Sequence, residues 1–227
     1  YAKNLMIKDG FKEHKLNVVY NSLDYEKTAE IRKAIHKTNL FENYFSNKLP
    51  VIVFIGRIQK NKKLEMLISF LKEQKLKGEI YNLVLIGEGN DKEELLNLVK
   101  SLKLDRQVWF FGACYDESKI AELIFNANVC VSPGNVGLTA IHSLSYGTPV
   151  ITHDSFSHQM PEFEAIHPGK TGDFFIRDNV SALADTISHW FTVKQSQRET
   201  VRQNCFHEID TQWTPQFQME VIKRYLK

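Results

Sequence analysis

The chain is written in short, unbroken apolar runs, separated by longer stretches in which apolar residues recur at helical spacing. Val51-Ile52-Val53-Phe54-Ile55, Leu83-Val84-Leu85-Ile86 and Val129-Cys130-Val131 are continuous rather than alternating. Strands covered on both faces have this pattern. Strands are predicted over 16–20, 51–55, 83–86, 108–111, 129–132, 149–152 and 174–176. Between them the periodicity predicts helices over 25–36, 63–73, 92–102, 118–126, 138–146 and 181–191. Asn90-Asp91-Lys92-Glu93 offers a capping-box start, Asp178 a cap for the helix that follows it, and Pro161 the first residue of a short helix. The tail, 195–227, reads as helices without a strand, packing outside the sheet or against another domain. Regular β–α alternation implies a Rossmann-like, three-layer α/β/α fold around a parallel sheet.

Composition narrows the classes of partner. A length of 227 residues suits a single domain, and 43% hydrophobic with 25% charged residues is ordinary for a globular chain. The formal net charge of +2 gives no reason to expect a nucleic-acid partner. Lys60, Lys63, Lys72, Lys75 and Lys77 read as a solvated helix face, with Lys62 set apart by its loop. Three widely spaced cysteines, Cys114, Cys130 and Cys205, form no C-x-x-C pair, so neither a disulfide framework nor a zinc site is expected. That usage fits a reducing cytosol. No apolar stretch is long enough to span a bilayer, and no signal peptide is visible. A start at Tyr1, with helical sequence already under way, reads as a piece of something longer.

Ligands of open parallel sheets bind outside the carboxyl ends of the strands. Three of those ends are distinctive. In Ile55-Gly56-Arg57-Ile58-Gln59-Lys60-Asn61-Lys62, a strand ends in glycine and arginine, with a second cation five residues on. Gly56 permits a tight turn, Arg57 can grip phosphate oxygens bidentately, and Lys62 adds a point charge. Placed at a helix start, Lys62 would oppose the macrodipole unless an anion lay between. In Ser132-Pro133-Gly134-Asn135-Val136-Gly137-Leu138, a turn flanked by glycines leads into a helix whose first N–H groups can receive an anion. His142, in that helix, either reaches back toward a sugar hydroxyl or is satisfied at the helix flank. In the third region His153, Asp154 and His158 invite a metal reading, but no further ligand closes such a site. Two motifs are decoys. Gly169-Lys170-Thr171 lacks the earlier P-loop glycine, since Glu164 stands there, and Gly87-Glu88-Gly89 meets Lys92 where a dinucleotide fingerprint needs its third glycine.

In combination these segments resemble the carboxyl-terminal, donor-binding domain of the family 4 retaining glycosyltransferases, bacterial "glycosyl transferases group 1" with the two-domain GT-B fold. Val18-Val19-Tyr20-Asn21-Ser22-Leu23-Asp24 is similar to that family's hinge. Gly56-Arg57 with Lys62 matches its Gly-Arg-x₄-Lys-Gly, Lys63 standing in for the last glycine. Gly87-Glu88-Gly89, Val108–Gly112 with Ala113 and Cys114 beyond it, Gly147-Thr148-Pro149-Val150-Ile151, Pro161-Glu162 and Gly169-Lys170-Thr171-Gly172 follow in the family's order. The resemblance implies that 1–227 is one donor-nucleotide-binding domain of a hexosyl- or glycosyltransferase. Its partners are a nucleotide diphosphate sugar and an amino-terminal acceptor-binding domain, with no metal or other cofactor. It implies charge-stabilising roles for Arg57 and Lys62. Donor contacts are implied from Gly56, Cys114, Gly134, Asn135, Val136, Gly137, Leu138 and His142. The expected location is cytoplasmic, at the inner face of the membrane if the other domain docks there. The chain departs from the family at its paired glutamates: Gly134 stands at the first, near the sugar, and His142 at the second, near the ribose. Gly134 has only its backbone for the first role. His142 can serve the second by hydrogen bonding, without a fixed charge. The departure therefore bears on sugar handling and leaves the diphosphate contacts intact. A relative without catalytic activity, binding a nucleotide sugar or stabilising a partner, is the alternative that the loss of both carboxylates allows.

Overall fold

Six of the seven apolar runs become strands because each lies beside another of its kind. The computed structural model describes residues 1–225, the side chains of residues 193–195 excepted, so the last two residues of the predicted tail lie outside the described residues. The strands are Val51–Ile55 (β1), Asn82–Ile86 (β2), Val108–Gly112 (β3), Val129–Ser132 (β4), Val150–His153 (β5) and Gly172–Phe175 (β6). All pair in parallel, in the order β3-β2-β1-β4-β5-β6. Ile52, Val53, Phe54, Leu83, Val84 and Leu85 are wholly buried, which accounts for the lack of alternation in β1 and β2.

Helices cover both faces. Ala2–Lys8 (α1), Tyr25–Ala34 (α2) and Leu40–Phe45 (α3) precede the sheet; Glu65–Leu76 (α4), Lys92–Ser101 (α5), Glu117–Asn126 (α6), Thr139–Ser145 (α7) and Val180–Lys194 (α8) alternate with it. Arg198–Gln212 (α9) and Pro215–Tyr225 (α10) follow. Helix α4 packs with α5 and α8 as one layer, while α2 and α9 pack on α6 and α7 as the other. The three-layer α/β/α arrangement is therefore as expected. Chain order reverses between β1 and β4, which opens a crevice at their carboxyl ends.

The predicted strand over 16–20 is not one. That segment is mostly exposed and pairs with no strand of the sheet, which runs from β3 to β6. It is tied down by side chains instead. The Tyr20 ring stacks on Trp213, with centroids 4.4 Å apart, and its carbonyl accepts from Gln218 Nε2 (2.7 Å). Tyr20 Oη donates to Glu164 (3.0 Å), and Asn21 Nδ2 donates to Glu162 (3.2 Å). Burial, then the Glu164 charge, push the Tyr20 phenol up to about 12.

Two cap assignments also change. Asp91 precedes α5 but makes no capping hydrogen bond from its side chain. Asp178 sits at φ +60° and pairs with Lys63, so the first turn of α8 is capped by its neighbour, Asn179 Oδ1 accepting from Ala182 N–H (2.9 Å). Pro161 does open a short helix, of 3₁₀ type, over Pro161–Ala165.

Candidate functional site: the crevice at the strand-order reversal

The loops after β1 and β2 run side by side. Gly56 N–H donates to Ile86 O and Ile58 N–H to Glu88 O, each at 2.9 Å. So close a passage needs glycine at position 87, where a Cβ would fall 1.9 Å from the Gly56 carbonyl oxygen. Above these loops lies an open cavity of about 490 Å³, lined by Gly56, Arg57, Gln59, Glu88, Cys114 and Tyr115 among others. Arg57 is exposed there and is engaged by no described residue. Glu88 is held by Lys92 (2.6 Å), and Tyr115 stands 94% exposed at the lip.

Lys62 is not at a helix start, as the spacing had suggested. It closes a 3₁₀ turn, Lys60–Lys62, ahead of α4, so the conflict with the macrodipole does not arise. Its ammonium donates to the Asn135 carbonyl (2.8 Å) and to Asn135 Oδ1 (2.9 Å). Burial lowers its pKa from the ordinary lysine value, against the opposing pull of the Glu162 carboxylate. Lys63, where the family pattern has glycine, takes the left-handed φ of +51° that glycine would adopt freely, and its ammonium pairs with Asp178.

The loop after β4 touches the loop after β1 directly. Gly134 N–H donates to Lys62 O (3.0 Å), and a Cβ on Gly134 would lie 1.9 Å from Asn61 O. Thr139, at the start of α7, donates through Oγ1 to Ile55 O (2.8 Å), closing the switch point between β1 and β4. Of the N–H groups expected to face an anion, Val136 is already taken. Gln159 Oε1 accepts from it (2.8 Å), while Gln159 Nε2 donates to Thr152 Oγ1 and to His153 O, each at 2.9 Å. The N–H groups of Gly137 and Leu138 have no backbone acceptor among the described residues.

His142 meets a carboxylate from another helix. Its Nε2 lies 2.7 Å from Glu117 Oε1, which also accepts from Tyr146 Oη (2.6 Å). Burial would raise the Glu117 pKa, but the His142 and Tyr146 hydrogen bonds outweigh it and hold the carboxyl below its usual range. The pair does not line the cavity. It sits one side chain behind, where Ile55 and Cys114 pack on Ile120 and Tyr146. Because the folded pKa is depressed, this carboxylate stabilises the fold above about pH 4.5, and the contribution fades as pH falls through the folded value. Glu117→Gln should therefore flatten the acid limb of a urea-unfolding series between roughly pH 5 and 3. An acid limb unchanged in that variant would show that the pair contributes nothing.

His153, Asp154 and His158 do not converge. His153 is buried and its Nδ1 accepts from Ser155 N–H (3.2 Å). Asp154 Oδ1 accepts from Arg177 N–H (3.1 Å), and His158 Nδ1 is bonded to the Ser155 and Ser157 hydroxyls. Among the described residues no group of three or more His, Cys, Asp or Glu is placed to hold a metal ion. Burial first, then the Arg177 and Lys63 charges, depress the His153 pKa to about 4, with Asp178 and Asp154 opposing. The unfolded imidazole takes its proton near pH 6.5 and the folded one only near 4, so stability falls between those values as pH drops. The loss is about 2–3 kcal/mol for a shift of this size. His153→Asn, whose Oδ1 can still accept from Ser155, should remove most of that slope in urea unfolding between pH 7 and 4.5. An unaltered slope would place the pH dependence elsewhere.

Of the residues expected at the site, Gly56, Arg57 and Cys114 line one cavity, while Lys62, Gly134 and Asn135 meet one another at the turn after β4, outside its lining. The sequence reading missed Gln159, Glu117, Glu88 and Tyr115. Tyr115, an aromatic beside Cys114, and Glu88, four residues before its partner Lys92, carried local signals; Gln159 and Glu117 act through contacts that no spacing encodes.

Residues 36–205 match the family described as Glycosyl transferases group 1. An O-antigen biosynthesis glycosyltransferase of Escherichia coli, WclY, is 29% identical over 176 residues, covering 77% of this chain and 46% of that protein. The chain thus spans about half the length of the curated relatives it matches. Among solved structures, Anabaena HepE in complex with UDP superposes with a TM-score of 0.74 at 17% identity, over 98% of this chain and 60% of that one. The apo lipopolysaccharide outer core galactosyltransferase WaaB gives 0.75 at 16% identity, over 99% and 58%. These two likenesses carry the fold, half of a GT-B architecture. With the family match extending over most of its length, the chain belongs to the glycosyl transferases group 1 family.

Proposed function

We propose that this chain is the donor-binding half of a glycosyltransferase, holding a nucleotide diphosphate sugar for transfer, with retention, to a saccharide or lipid-linked acceptor. The observation that carries the reading is the unpaired Arg57 in a 490 Å³ cavity over the ends of β1, β2 and β3, with Lys62 farther along the same loop, against the turn after β4. Both cations come from one loop, and cations so placed can stabilise the charge of a departing diphosphate. The Gly137 and Leu138 N–H groups, without a backbone acceptor among the described residues, can add to the anion contacts, and the cavity toward Cys114 and Tyr115 has room for a base. HepE, a relative in fold, was solved with UDP and also with UDP-glucose, which supports a nucleotide-sugar donor. His142, behind the cavity with its Nε2 on Glu117, would have to leave that pair to reach the ribose hydroxyls. Arg57 and Lys62 supply the charge here without a metal. The acceptor site belongs to a further domain, cytoplasmic and peripheral to the membrane in this reading, so the isolated chain should bind nucleotide without sugar transfer. Calorimetric titration with UDP, GDP and ADP tests the proposal: at least one should bind, and binding by none of them would end the donor reading.

A second reading has its own support. Gly134 and His142 stand where the family's paired glutamates are expected, so the parent protein can be a binding or partner-stabilising relative without transfer activity. A full-length protein that binds the nucleotide yet transfers no sugar from any donor would favour it.

A further inference from the structure

Lys62 is an unusual phosphate-facing cation, because a neighbour already occupies it. Two of its three N–H donors go to a single residue, the Asn135 carbonyl and the Asn135 side-chain oxygen. Around Asn135 the backbone is held on every side. Gly134 N–H is bonded to Lys62 O, Gly134 O accepts from Thr152 Oγ1 (3.2 Å), and Val136 N–H is bonded to Gln159. The Asn135 side chain is not held in this way. It is half-buried at the crevice, and its amide nitrogen bonds to no described residue. Turning about its own χ angles would free one of the two occupied donors without moving the turn, the bond to the Asn135 carbonyl remaining.

We propose that Asn135 is a placeholder for the donor's phosphate and a specificity-determining residue for its sugar. This rests on the nucleotide-sugar reading above. Asn135 Oδ1, a neutral acceptor, occupies the lysine until a phosphate oxygen, a charged and stronger acceptor, replaces it. The displaced side chain then has both amide hydrogens and its oxygen available for the sugar hydroxyls. Sugar recognition is thereby made conditional on diphosphate binding: a free sugar meets an Asn135 still committed to Lys62. A ligand shifts such an equilibrium only by its differential affinity for the two arrangements, and the phosphate supplies that difference here.

The test uses inorganic pyrophosphate, which needs neither base nor sugar, in calorimetric titrations of the parent chain, Asn135→Ala and Asn135→Asp. Alanine removes the competing acceptor and should tighten pyrophosphate binding about three- to tenfold. Aspartate holds Lys62 more firmly and repels the anion, so it should weaken binding about tenfold or more while leaving the thermal midpoint unchanged or higher. Opposite signs are the signature, since a residue needed only to shape the turn would weaken binding in both variants. Alanine binding no tighter than the parent, or aspartate no weaker, overturns the placeholder. The sugar role is read with whichever nucleotide the parent binds, alone and as its glucose, galactose and N-acetylglucosamine conjugates. Asn135→Ala should equalise affinities that differ in the parent. Differences retained in the variant, or absent from the parent, overturn that role. Pyrophosphate and nucleotides that fail to bind the parent at all would instead remove the donor reading on which the proposal stands.

Discussion

Gly134→Ala is expected to lower stability by about 3 kcal/mol, at the upper end of what overpacking usually costs, and to weaken nucleotide binding with it. The added methyl would sit 1.9 Å from Asn61 O and 2.7 Å from Lys62 Cα, both backbone atoms that cannot rotate away. The loops after β1 and β4 must then separate, breaking the Gly134 N–H bond to Lys62 O and moving Lys62 relative to Asn135. Gly78→Ala is the control. Its φ is +84° but nothing lies within 4 Å of the added carbon, so it should cost only about 1 kcal/mol through backbone strain. Urea midpoints for the two variants separate steric from conformational effects. A Gly134→Ala chain as stable as the parent would mean the loops do not meet as described.

Arg57→Ala is expected to reduce affinity for the bound nucleotide diphosphate roughly 10- to 100-fold, which is what one or two charge-assisted hydrogen bonds are worth. It should leave the thermal midpoint alone, because no described residue engages Arg57 in the fold. Arg57→Lys should recover only part of the loss, since a point charge lacks the planar fork. The residual affinity should fall steeply with added salt as the exposed contacts are screened. Calorimetry with each variant at two salt concentrations decides the matter. Unchanged affinity in Arg57→Ala would remove this residue from the phosphate site, and a large drop in thermal midpoint would mean its role in the fold had been missed.

Much of the architecture was legible because its strands are buried on both faces. Unbroken runs such as 51–55 and 83–86 leave little else for the chain to form, and the glycines at 56 and 87 mark where they end. The segment 16–20 has similar content, but strand formation also needs a partner, and only tertiary structure decides who pairs. Asp178 was misread for a related reason: an aspartate ahead of a helix suggests a cap, whereas its ion pair with Lys63 helps hold it in a left-handed conformation. Within the crevice, glycines and cations announced themselves by type and spacing. Gln159 did not, because a glutamine that fastens Val136 from a loop 23 residues away looks like any surface amide. Glu117 was hidden in the same way, its relation to His142 existing only once α6 and α7 pack.

The stacking of Tyr20 on Trp213 has a mechanical consequence. The extended segment leading into α2 is fastened at one point to the start of the terminal helix, through Gln218, and to the turn at 161–165, through Glu164 and, one residue on, Glu162. That turn begins just after Gln159, which in turn fastens the crevice loop at Val136. A pull or twist applied upstream of Tyr20 therefore has a short, side-chain-tied route to the wall that holds Asn135, and Trp213, buried against the tyrosine ring, is positioned to signal such a load through its fluorescence.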